Sequence, residues 1–237
     1  MTHQLDDLPR QTIARLAGLF YLVYIVLFAS STFIQSKSVL SQGAATAGTV
    51  VASELLFRIG FTTELIAAMF FLLAAWALYA LLRTVNANLA LLFLLLNAIG
   101  VAVECANTLI RFAALLLANG SDYSKSFTPA QMSALATWFL RLSNSGNIIT
   151  ALIYGLWLFP LGYLIIKSSF LPRALGVLLI LDGSSLMICF IQLCLFPRHE
   201  KLTYPLYPIM FVAEFGLALW LLIKGAQDRK LVPADAR

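Results

Sequence analysis

The sequence predicts an all-α fold, a polytopic membrane helix bundle of six transmembrane helices with short amphipathic segments. Three observations predict it. The 237 residues are 61% hydrophobic and only 11% charged, with a mean hydropathy of +0.88; a soluble globular chain is about 45 to 50% apolar and about 25% charged. Six apolar runs, at about 13–34, 59–82, 89–117, 148–166, 174–196 and 206–224, exceed the roughly 18 residues that mark a membrane crossing. The third run also carries Asn97, Glu104, Asn107 and Arg111. At about 100° per residue these four fall within a sector roughly 80° wide, one polar stripe on an otherwise apolar helix. Such a stripe turns toward protein, a water-filled cavity or a partner charge rather than lipid.

Residues 1–12 read as a cytoplasmic leader. The run from Ile13 to Ile34 is longer than the roughly 7 to 15 residues of a signal-peptide core, and no small-residue cleavage site follows, so it stays as the first span. The stretch 35–49, rich in Ser, Gly, Ala and Thr, reads as a loop leading to a short helix around Ala52–Arg58. There Glu54 and Arg58, spaced i, i+4, can pair on one face. The second span carries Glu64 near its start and closes on Trp76, Tyr79 and Arg83, an aromatic and basic interface anchor. A tight turn at 84–88 leads into the third span.

Thr128-Pro129-Ala130-Gln131 is a capping box with proline at the first helical position. A continuous helix from Pro129 to Lys167 would run about 58 Å, about twice the hydrocarbon thickness. The small polar run Ser143-Asn144-Ser145-Gly146-Asn147 is therefore expected to break it. An amphipathic piece with Trp138 and Arg141 would precede a crossing piece, Ile148–Ile166, kinked by Pro160. After a basic turn, Lys167–Arg173, the fifth span holds Asp182 and Gln192, and the sixth holds Glu214. Residues 225–237 read as a disordered cytoplasmic tail. Arg58–Arg83 laid over Arg141–Lys167 gives a weak internal repeat, which shared membrane composition also produces.

Six spans put both termini on one side, which holds nine of the 16 Lys and Arg against five on the other, with Arg111 and Arg141 at membrane level. The positive-inside rule places that side in the cytoplasm. The net charge of +5 is scattered through membrane-flanking turns, so no nucleic acid partner is expected. Cys105, Cys189 and Cys194 lie in apolar runs without paired spacing and read as packing residues.

Function classes narrow by elimination. The two histidines, His3 and His199, lie outside the spans, and no HExxH is present, which disfavours zinc catalysis. Neither GxSxG nor a Walker or Rossmann glycine pattern occurs, and a serine-histidine intramembrane protease would need an embedded histidine. No cofactor and no metal are expected.

Three phrases carry a family likeness. They are Arg15-Leu16-Ala17-Gly18-Leu19-Phe20-Tyr21-Leu22, then Ala52-Ser53-Glu54-Leu55-Leu56-Phe57-Arg58-Ile59-Gly60, then Gly162-Tyr163-Leu164 through Phe170-Leu171-Pro172-Arg173-Ala174-Leu175-Gly176-Val177-Leu178-Leu179. With them nearly the whole chain resembles a bacterial family of integral membrane proteins known as a domain of unknown function, DUF4386. The resemblance implies a bacterial cytoplasmic (inner) membrane protein and transfers no catalytic residue.

By depth, Glu64, Glu104, Asn107, Arg111, Arg141 and Asn144 lie between the midplane and the outer surface, with Asp182 and Glu214 nearer the middle. Opposite charges at matching depth suggest ion pairs between helices, Arg111 or Arg141 with Glu64, Glu104 or Glu214. One reading makes these residues glue between helices, with the arginines snorkelling to the interface. Asp182 likewise reads as a carboxyl bonded to a neighbouring helix. The other reading is an outward-facing intramembrane polar pocket that binds or transports a small polar molecule or ion, with Glu104 and Arg111 central. Glu54 and Arg58 are then either an exposed local salt bridge or, by their place in the family-like phrase, a lid. A metal-free intramembrane enzyme acting on lipid and a non-catalytic membrane interaction protein stand as alternatives. The partners expected are the lipid bilayer and a small polar ligand or ion.

Overall fold

The computed structural model describes residues 9–37, 47–118, 127–196, 198, 199, 201 and 203–226. Among them the chain forms six long helices: α1 Arg10–Lys37, α2 Ala47–Leu82, α3 Ala87–Ala118, α4 Pro129–Lys167, α5 Arg173–Leu195 and α6 Tyr207–Ile223, the last entered by a 3-10 turn at Tyr204–Leu206. All six are long and apolar enough to cross a membrane, so the fold is an all-α bundle and the chain a multi-pass membrane protein. Most of residues 1–12 and of the tail lies outside the described residues.

Each helix packs on its sequence neighbours, and α1 also packs on α6, which closes the bundle into a ring. Gln11 Nε2 donates to the Lys224 carbonyl at 2.8 Å, so the start of α1 lies beside the end of α6. The interior holds aromatic side chains such as Tyr21, Phe71, Phe93 and Trp157. Large apolar side chains such as Val26, Leu95, Ile99 and Ile188 are exposed around the outside, as a bilayer requires.

The expected helix ends were too short in three places. The Ser- and Gly-containing stretch after Ile34 stays helical to Lys37, and the separate helix expected around Ala52–Arg58 is the first part of α2. α1 likewise starts at Arg10, inside the expected leader. A further difference is α4, which runs unbroken from Pro129 to Lys167, through Pro160 as well. It opens with the expected box: Gln131 N donates to Thr128 Oγ1 at 3.3 Å and Thr128 N to Gln131 Oε1 at 2.8 Å.

The run Ser143–Asn147 does not break α4 because its small residues serve packing. A Cβ on Gly146 would collide with the Asn107 carboxamide of α3. Asn107 Nδ2 instead donates to Asn147 Oδ1 at 2.7 Å. Small residues let helix backbones approach closely in membranes, and polar side chains then bond across the contact.

α4 and α5 approach closely along two pairs of glycines. Gly162 and Gly176 face each other, a Cβ on Gly162 lying 2.7 Å from the Gly176 carbonyl oxygen; Gly155 and Gly183 repeat the arrangement, a Cβ on Gly183 lying 2.9 Å from the Gly155 carbonyl oxygen. The pairs fix an antiparallel register. Twelve residues on from Gly183 is Leu195, the end of α5, and twelve back from Gly155 is Ser143. Pro129–Leu142 therefore projects past the end of α5 by about 21 Å at 1.5 Å per residue, which answers how 39 residues fit one crossing.

Candidate functional site

The α2–α3 hairpin sets the main polar cluster. Glu64 lies 18 residues before Leu82 and Glu104 17 residues after Ala87, so antiparallel packing brings them to one level. Two turns farther along α3, Arg111 reaches back to both. Its Nη2 donates to Glu64 Oε1 and lies 3.7 Å from Glu104 Oε1. Its Nη1 donates to Gln35 Oε1 of α1 at 2.5 Å.

Around this ion pair the remaining polar atoms are mostly satisfied. Gln35 Nε2 donates to Glu64 Oε2 at 2.6 Å and lies 2.8 Å from Ser31 Oγ. Ser31 Oγ donates to the Gly60 carbonyl at 2.9 Å. The Thr108 hydroxyl lies 2.9 Å from Glu64 Oε1 and 2.8 Å from the Glu104 carbonyl, and its single hydrogen serves one acceptor at a time. Glu104 also faces Thr150 of α4. Glu64 is 3% exposed and Glu104 8%, whereas the Arg111 side chain is 18% exposed. The cluster is thus buried at its carboxylates and partly exposed along Arg111, whose Nε is itself buried with no hydrogen-bond partner among the described residues.

The charges do not balance. Two carboxylates share one guanidinium, so with both ionised the cluster is negative by one charge, which a bound proton or cation would remove. An anion would have to draw Arg111 away from Glu64. No group of three or more His, Cys, Asp or Glu able to hold a metal is assembled among the described residues.

The expected site residues separate into four groups. Glu64, Glu104 and Arg111 come together as described, and Asn107 sits at the α3–α4 contact beside them. Arg141 and Asn144 are exposed on α4 and do not join, because the helix continues and turns them outward. Glu54 and Arg58 pair at 2.7 Å, and Arg58 stacks over Phe112 at 5.6 Å, next in the chain to Arg111; Phe112 packs in turn on Phe61, centroids 4.7 Å apart.

Asp182 and Glu214 form a second centre. Asp182 is fully buried, and neither of its oxygens has a hydrogen-bond partner among the described residues, contrary to the bond with a neighbouring helix expected for it. Its neighbours Ser184 and Ser185 bond their own helix, to the Ile180 and Leu181 carbonyls, each at 2.8 Å. Tyr21 of α1 faces Glu214 without reaching hydrogen-bond geometry.

Sequence reasoning passed over Gln35, Ser31 and Thr108. Thr108 was findable, since it lies one turn beyond Glu104 on the polar stripe. Gln35 opens a polar stretch whose composition predicts a loop.

A family match described as a domain of unknown function, DUF4386, covers residues 16–225. No match was found among curated proteins, and none among solved structures. The matched residues run from the second turn of α1 past the end of α6 and take in both polar centres; the chain belongs to the DUF4386 family.

Proposed function

We propose that this chain is a bacterial inner-membrane protein, with both termini in the cytoplasm, that binds and transports a small polar molecule or ion at an outward-facing site made by Glu64, Glu104 and Arg111. The observation that carries the reading is the uneven charge of the cluster: two buried carboxylates on separate helices against one partly exposed arginine. An ion set such as this is costly inside a bilayer and commonly marks a substrate or ion path. The missing positive charge favours a cation or a proton over an anion. The Glu54–Arg58 pair on Phe112 is the lid of this site.

Cysteine accessibility tests the proposal. Single cysteines replace Glu104, Asn107 and Arg111 in a background lacking Cys105, Cys189 and Cys194, and intact cells are treated with a membrane-impermeant thiol reagent. Labelling at these positions, with cysteines at Val101 and Leu116 silent, is the expected result. Silence at all three in a protein that inserts and folds refutes the outward-facing site.

The reading as helix glue is favoured by one observation, the bonding of Arg111 and Glu64 to Gln35, which ties α1, α2 and α3 together. The same experiment separates the two, because sealed glue gives no labelling.

A further inference from the structure

The second centre makes sense only together with the first. Asp182 of α5, Asn97 of α3 and the Tyr21 hydroxyl of α1 are fully buried, and among the described residues there is no hydrogen-bond partner for either Asp182 oxygen, for either polar atom of the Asn97 carboxamide or for the tyrosine. Glu214 of α6 faces both Tyr21 and Asp182, and among the described residues no basic side chain faces either carboxylate. Buried polar groups left unpaired are costly, and two ionised carboxylates held close on neighbouring helices repel each other. A proton held between Asp182 and Glu214 removes the repulsion and supplies a donor.

The two centres lie at graded depth. Counted from the helix ends on the side of the Gln11–Lys224 contact, Asp182 and Glu214 are nine residues in, Asn97 ten and Tyr21 eleven. At 1.5 Å per residue that is about 14 to 17 Å. Tyr154 and Tyr24 are 13 and 14 residues in, about 20 to 21 Å. Glu104 and Glu64 follow at about 26 to 27 Å, and Arg111 with Gln35 at about 36 to 38 Å.

The tyrosines bridge the gap between the centres. Tyr154 lies against Gly100 of α3, where a Cβ would collide with its ring, one turn from Glu104. Tyr24 stacks on Phe71 at 4.1 Å, Phe71 meets Tyr154 edge-on at 5.3 Å, and Tyr24 and Tyr21 stack at 6.0 Å. Tyr24 and Tyr154 both lie within electrostatic reach of Glu104 on one side and Glu214 on the other. A phenol both donates and accepts hydrogen bonds, so it can pass on a proton as it receives one.

We propose that these groups form one proton route, from Glu64 and Glu104 through Tyr154 and Tyr24 to Tyr21 and the Asp182–Glu214 pair, and that the ion taken up at the outward-facing site is a proton. This rests on reading the Arg111 cluster as a ligand site. In each step one O–H bond breaks as another forms. Since Tyr21 and Asp182 make no hydrogen bond among the described residues, each transfer runs through an intervening water or after a side-chain rotation: protonated Glu104 gives its proton to that water or to a tyrosine oxygen, the acceptor gives its own proton onward, and the last proton ends on an Asp182 or Glu214 carboxylate. The charged and titratable groups facing the entry are Glu64, Arg111, Cys105, Tyr154 and Tyr24. Those facing the inner pair are Tyr21, Tyr24 and Tyr154.

Infrared spectroscopy of the full chain in phosphatidylcholine vesicles tests the route. The carbonyl band of the protonated inner pair is identified by its loss in Asp182→Asn, and its isotope shift is followed after a change from H2O to D2O. Tyr24→Phe combined with Tyr154→Phe keeps both rings and should slow that shift at least roughly tenfold, as should Glu104→Gln. The absence of any band lost in Asp182→Asn overturns the route, and so does an exchange rate unchanged in both variants. Thiol labelling at positions 104 and 111 is read in parallel. Labelling with unchanged exchange removes the route and leaves the outer site standing; slowed exchange without labelling keeps the route and removes the outward-facing site.

Discussion

Arg111 on α3 holds Glu64 on α2 with one terminal nitrogen and Gln35 on α1 with the other, so one guanidinium joins three helices at the rim of the bundle. Replacing it by Ala strands Glu64 and Glu104 without a cation. Breaking one partner of a buried pair costs about 3 to 5 kcal/mol in measured cases. Arg111→Ala should therefore melt well below the wild type in detergent, and Arg111→Met combined with Glu64→Gln should recover much of the loss.

Glu104 is the weaker partner, 3.7 Å from the guanidinium. Glu104→Gln removes the surplus negative charge while Arg111 keeps Glu64. The variant should melt at or above the wild-type temperature, and a panel of inorganic cations should stabilise neither protein in a thermal melt, since the ion the site takes is a proton.

Asn107 and Asn147 make a single hydrogen bond across α3 and α4. Such bonds within membranes are worth about 0.6 kcal/mol on average. Asn107→Ala and Asn147→Ala should each give a small loss of stability, and the double variant little more than either.

Gly162 and Gly216 differ sharply in the room around them. A Cβ on Gly162 meets the Gly176 carbonyl oxygen at 2.7 Å, while one on Gly216 finds its nearest atom, Leu175 Cδ2, at 3.9 Å. Gly162→Leu should abolish folded monodisperse protein in size-exclusion chromatography. Gly216→Ala should leave it intact.

The proposed orientation has its own check. Ser169, in the turn after α4, and His199, before α6, are both exposed at opposite ends of α5. In intact cells a cysteine at 199 should react with an impermeant reagent and one at 169 only after the membrane is opened; the reverse pattern inverts the topology.

The six crossings were legible because each depends on a long apolar run, a signal summed over some twenty residues. Their ends were not. Gln35 opens a polar stretch, and α1 is still helical beyond it, since a helix that leaves the bilayer no longer needs apolar side chains. Ser143–Asn147 was ambiguous in principle, as small polar residues both weaken a helix and let another helix come close; here Asn107 decides the matter from outside the segment. Arg111 and Arg141 looked equivalent in sequence, and only helix rotation separates the first, bonded across 47 positions to Glu64, from the second, turned outward. Pairing across such a distance leaves no mark on local periodicity, so the polar stripe on α3 could be read while its partners could not.

The facing glycines of α4 and α5 also limit how this protein can move. A slip of one turn along that seam would set Leu158 or Phe159 where a glycine now stands against a backbone carbonyl, so the two helices travel as a single stiff plank. Any opening of the bundle has to hinge elsewhere, at the α3 edge of the plank where Asn107 meets Asn147 or at its α6 edge. The plank carries Tyr154 and Asp182, while Glu64, Glu104, Arg111, Tyr21 and Tyr24 sit on the other part, so a tilt between the two parts would stretch the tyrosine bridge and act as its clutch.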